Sequence, residues 1–101
     1  LKGKGFEEYE RIAAALAGED VTFTSIKQAL DHLFGQVGLG YTLKEMEHPT
    51  FISGRVGQIF VGKENIGLIG EVHPQVLENF ELEFPVSVFE IDADRLTDLI
   101  E

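Results

Sequence analysis

Two β-prone runs, Val56 to Val61 and Ile66 to Val72, flank the polar link Gly62-Lys63-Glu64-Asn65. Glycine and asparagine tolerate positive φ, so the link can close an antiparallel turn, and the whole stretch predicts a hairpin. A hairpin alone is marginal in water and needs further strands or a covering helix. What the remaining residues can lay against it therefore decides the fold.

A covering helix follows from Ile26, Ala29, Leu30, Leu33, Phe34 and Val37, which recur at helical spacing. Ser25 with Gln28 has the form of a capping box, and the predicted helix runs for about three turns to Gly35 or Gly38. Tyr41 to Glu47 alternates in part and predicts a strand, with Pro49 opening a loop. Pro74 stands at a natural first helical position, with Val76, Leu77 and Phe80 on one face of a short helix. Pro85 to Ile91 carries apolar side chains on both faces, as a largely covered strand does. Asp92 or Asp94 can cap a final helix bearing Leu96, Leu99 and Ile100.

Arg11 to Ala17 reads two ways. Its alanines favour helix, but a short run closing at Gly18-Glu19-Asp20 suits a buried strand. The order of elements predicts an α+β fold, a largely antiparallel sheet flanked by helices.

Composition narrows the function classes. The 101 residues make a single domain or a fragment of one, with residues 1–8 as a flexible lead-in. Leu1 at the start and the helix-like, apolar end are expected of a segment cut from something longer. Eight Lys and Arg against 18 Asp and Glu give a net charge of -10, which repels phosphate backbones and argues against autonomous nucleic-acid binding. The absence of cysteine excludes disulfides, thiolate metal sites and a Cys nucleophile, and fits a reducing, cytoplasmic setting. No apolar stretch approaches the ~20 residues that a membrane-spanning helix needs.

Candidate chemistry is sparse. Glu71 and His73, two apart on one strand, could form a metal-dependent hydrolase site with His48. No HExxH spacing supports it, and His73-Pro74 is more simply a hydrogen-bonded corner. Gly54-Arg55-Val56-Gly57 and Gly67-Leu68-Ile69-Gly70 match the GxxG of some RNA-clamping loops, but both lie beside or inside strand-like runs. Lys2-Gly3-Lys4-Gly5 lacks the full phosphate-loop spacing, and none of Ser25, Ser53 and Ser87 sits in a nucleophile elbow. No catalytic, cofactor-binding or metal-ligating residue emerges. On residues alone, a free-standing acidic protein-interaction domain is an alternative.

A longer block is more specific than any of these strings. Phe51-Ile52-Ser53-Gly54-Arg55, then Ile66-Gly67-Leu68-Ile69-Gly70-Glu71-Val72-His73-Pro74 with Leu77 and Phe80, then Pro85 to Asp92, resembles the C-terminal core of the phenylalanyl-tRNA synthetase β subunit. The resemblance spans about residues 50–96, and the upstream helix fits the same layout. It implies a class II synthetase-like fold, catalytic-like but without catalytic motifs, in which Arg11 to Ala17 is a strand. It implies an α2β2 assembly whose α subunit activates phenylalanine with ATP and Mg2+ and charges tRNA. The chain contains no GxGxxxR-like string, and Arg55 and Arg95 lie outside any such motif. The resemblance therefore gives this stretch a structural role beside the α subunit and the rest of the β chain, with tRNA a partner of the whole enzyme only. Gly67 and Gly70 are expected to permit close approach to the hairpin, Glu71 to lie on its second strand, and His73-Pro74 to turn the strand into the short helix. Phe80, Phe84 and Phe89 are expected to supply core or interface surface.

Overall fold

The computed structural model describes residues 11–100, so the glycine-rich lead-in lies outside the described residues. In chain order the elements are β1 (Arg11–Ala17), α1 (Phe23–Val37), β2 (Thr42–Glu45), β3 (Phe51–Val61), β4 (Glu64–Val72), α2 (Pro74–Asn79), β5 (Val86–Asp92) and α3 (Ala93–Ile100). The five strands form one antiparallel sheet in the order β1-β5-β4-β3-β2. This is the α+β arrangement expected from the order of elements.

The hairpin is its centre, with two corrections. Glu64 and Asn65 pair with Val61 and Phe60 as strand residues, so the turn is only Gly62-Lys63. Strand β3 reaches back to Phe51 because a register shift between Phe51 and Val56 absorbs Ser53-Gly54-Arg55. Strand β2 is shorter than its alternation predicted, because it pairs with β3 only from Thr42 opposite Phe60 to Glu45 opposite Gly57.

The alanine run Arg11–Ala17 is a strand, paired with β5 at all seven positions. Ladder bonds and cross-strand packing outweigh the few tenths of a kcal/mol per residue by which alanine prefers a helix.

Helix α1 starts earlier and runs longer than its apolar spacing predicted. Its N-cap is Thr22, whose amide donates to Ser25 Oγ at 3.1 Å, so Ser25 closes the capping box as its third helical residue. The helix continues for 15 residues to Val37, where Gly38 at φ 74 donates its N–H to the carbonyl of Phe34. Ile26, Leu30 and Phe34 are its buried stripe, and they meet Ile59, Ile66, Ile69, Phe89 and Ile91 of the sheet and Leu96 of α3 in one core. Helices α1 and α3 thus cover one sheet face. Helix α3 is capped by Asp92, whose Oδ1 accepts from the Arg95 amide at 3.2 Å.

Tyr41, just before β2, fastens the C-terminal half of α1. Its ring lies 4.9 Å from that of Phe34, and its hydroxyl donates to Asp31. Burial, and then the Asp31 bond and charge, push the phenol well above its ordinary range.

The opposite sheet face has a different character. Ala13, Ala15, Phe51, Leu68 and Val88 line an open, largely apolar depression of ≈ 510 Å³, with Glu90 and His48 at its margin.

Candidate functional site

The residues singled out in the sequence converge on strand β4, the corner after it and the connection to β5. Gly67 lies opposite Ile91, and a Cβ placed there would collide with the backbone carbonyl of Glu90. At Gly70 a Cβ would lie 2.6 Å from the ring of Phe51. Strand β5 and the Phe51 ring both come closer than a side chain would allow. Both GxxG strings lie within strands, Gly54 to Gly57 in β3 and Gly67 to Gly70 in β4, instead of forming loops.

Glu71 is buried but not unsatisfied. One carboxylate oxygen accepts the amide of Phe23, the first residue of α1, at 3.2 Å, and the other faces Arg55 Nη1 at 3.3 Å. A carboxylate at a helix N-terminus meets orphan N–H groups and the positive end of the dipole. Ser87, fully buried on β5, donates its hydroxyl to the carbonyl of Thr22 at 3.1 Å. Two strands therefore hold the start of α1.

The His73-Pro74 corner is tightly bonded. The His73 amide donates to the carbonyl of Thr50 at 2.8 Å, and its Nδ1 accepts from the Gln75 amide at 3.0 Å, capping α2. Pro74, whose missing N–H costs a first turn nothing, starts the helix. His73→Ala should destabilise by about 1 kcal/mol, as lost N-caps do, whereas His73→Asn should restore most of it. Equal urea midpoints for the two variants would refute the cap.

His48 makes the same kind of bond. Its Nδ1 accepts the amide of Thr50 at 3.1 Å, and it shares with Glu47, Ser53 and His73 a depression of ≈ 540 Å³. A ring nitrogen that accepts carries no proton, so in the neutral ring the proton of each histidine sits on Nε2. Neither ring can ligate a metal through Nε2 without surrendering its corner bond. Glu71 faces the α1 side, and among the described residues no group of three His, Asp or Glu is arranged to hold a metal. The structure does not assemble the hydrolase site considered from Glu71, His73 and His48.

The three phenylalanines separate. Phe89 is core, 4% exposed. Phe80 is 72% exposed and Phe84 46%, so of the three only Phe89 supplies core. Phe80 is the C-cap of the helix, and a turn through Glu81 at φ 59 brings the Leu82 amide back to the Leu77 carbonyl. Sequence reasoning also missed Arg95, which reaches Glu64 at 3.7 Å and the carbonyl of Asn65 at 2.9 Å, tying α3 to the hairpin. Its partners lie some thirty residues away, beyond any local pattern.

Residues 1–93 match the family model described as the phenylalanyl tRNA synthetase beta chain CLM domain. The chain belongs to this family. Among its relatives, the phenylalanine–tRNA ligase beta subunit of Pyrococcus abyssi is 52% identical over 81 residues, covering 80% of this chain and 15% of that one. The corresponding subunit of Thermococcus onnurineus is 51% identical over 81 residues, 80% of this chain and 14% of its own. That of Thermofilum pendens is 46% identical over 87 residues, 86% of this chain and 16% of its own. The chain thus corresponds to about 15% of the length of the β subunits it resembles. Among the described residues no helix is long and apolar enough to cross a membrane.

Proposed function

We propose that this chain is a catalytically silent, class II synthetase-like part of a phenylalanine–tRNA ligase β subunit, and that it supports assembly with the α subunit in an α2β2 enzyme of the cytoplasm. In this reading the whole enzyme uses ATP and Mg2+ to activate phenylalanine and charges tRNA with it, and the chemistry belongs to the α subunit. The observation that carries the proposal is the match of residues 1–93 to the β-chain model.

The site geometry supports silence. A triphosphate needs free cations, but among the described residues no Lys or Arg lines the depression on the open sheet face, and Glu90, which does, pairs with Arg11 at 3.5 Å. Arg55 is engaged by Glu71, and Arg95 by Asp92 and Glu64. These residues do not fit ATP with Mg2+. The net charge of -10, which repels phosphate backbones, likewise supports a reading in which tRNA is contacted by other parts of the enzyme.

The test is twofold. The full β subunit, co-expressed with its α subunit, should give an α2β2 mass in native mass spectrometry, and the present chain alone should show no phenylalanine-dependent turnover of ATP. Turnover by the isolated chain would refute silence, and full-length subunits that stay apart would refute the assembly role.

A further inference from the structure

Helix α2 and the connection after it stand off the body of the fold. No residue of α2 is buried, and six residues are too few for a helix to hold itself in water. Its ends are fixed instead: His73 caps the start, and at the far end the Leu82 amide donates to the carbonyl of Leu77 at 2.8 Å while that of Glu81 donates to Glu78 at 3.0 Å. This is a Schellman closure, and its left-handed position, normally glycine, is held by Glu81 at φ 59. A non-glycine residue there is strained, and such strain collects where function requires a particular side chain.

What the closure presents is regular in chemistry. Phe80, Leu82 and Phe84 are 72%, 50% and 46% exposed, and Glu81 and Glu83 alternate with them. Beside them Pro74, Leu77 and Leu82 floor a depression of ≈ 430 Å³, rimmed by Glu78 and Glu83. From Glu64 to Asp94 the sequence contains no Lys or Arg, so no cation of this stretch neutralises the carboxylates. Single exposed apolar side chains are ordinary, but three within five residues, on a fixed turn and ringed by one sign of charge, mark a docking surface.

We infer that this ridge docks a basic segment with apolar side chains on the partner subunit, an inference that rests on the assembly reading above. Charge selects the occupant. A second copy would bring the same carboxylates against these, whereas Lys and Arg flanking an apolar anchor would meet Glu78, Glu81 and Glu83 while Phe80 and Leu82 lose their water.

The experiment uses the full-length β subunit titrated with its α subunit. Phe80→Ser/Leu82→Ser and Glu81→Lys/Glu83→Lys should each weaken Kd by about tenfold or more, with the Tm of free β unchanged because these positions are exposed. Raising salt from about 0.1 to 1 M, which shortens the Debye length from about 10 to 3 Å, should weaken the parent complex and have little effect on the Lys variant. Glu81→Gly is the decisive variant: it relieves the left-handed strain, so Tm should hold or rise, yet it removes a carboxylate and should still weaken binding. In Phe80→Cys β, a thiol reagent should label position 80 in free β and be blocked once α is bound. A parent β that binds no α overturns the assembly reading. A parent that binds, with ridge variants of equal Kd or with position 80 already blocked in free β, overturns the ridge alone and assigns it to contacts within the β chain.

Discussion

Gly67→Ala is expected to cost the chain about 3 kcal/mol or more, seen as a large drop in urea midpoint or as failure to fold. The added methyl would enter the backbone of β5 at Glu90 and Ile91, whose atoms cannot rotate away as a side chain can. Relief requires β4 and β5 to part, and these strands are joined in register from Gly67 opposite Ile91 to Glu71 opposite Ser87. Gly35→Ala is the matched control. It lies on the exposed side of α1 with nothing within 4 Å of the new methyl, so it should stabilise by about 0.5–1 kcal/mol. The same chemical change should therefore give opposite signs, and a Gly67→Ala chain as stable as its parent would contradict the β4–β5 spacing.

Leu30→Ala is the second large effect. Leu30 is fully buried in the middle of α1, between Ile26 and Phe34, in the core shared with Ile59, Ile69, Phe89 and Ile91. Removing such a side chain from a packed core costs about 2–5 kcal/mol, a large part of the 5–15 kcal/mol typical of a small domain. Leu30→Met keeps the volume and should lose less than about 1.5 kcal/mol. Near-parent stability of Leu30→Ala, read by calorimetry, would mean that α1 is not seated on the sheet by this stripe.

The parts of this fold that were legible from the residues are those whose determinants are local. The β3–β4 hairpin announces itself through two β-prone runs and a glycine turn, and α1 through its spacing, because each signal sits within a few residues of what it controls. The alanine run of β1 misleads on propensity because its conformation is imposed by β5, about seventy residues further on. Glu71 resembles a potential ligand until Phe23, 48 residues away, is seen to donate to it. Phe80 fits a helical face by spacing, but that whole helix stands off the sheet with no buried residue, and no local pattern says which apolar face finds a partner. The His73-Pro74 corner is legible from the proline that follows the histidine, whereas the bond from the Thr50 amide to His48 Nδ1 has no such local signal.

Strand β1 has one neighbour in the sheet, and that neighbour is the last strand of the fold. On a ribosome, Ile12 emerges some eighty residues ahead of Ile91, its partner. At about 5–20 residues per second the first strand waits roughly 4–16 seconds for its place in the ladder. Nascent chains halted before β5 should expose Ile12 to Ala17 to protease, and chains released past Asp92 should protect it. Until then the alanine strand lacks the partner that it has in the described sheet.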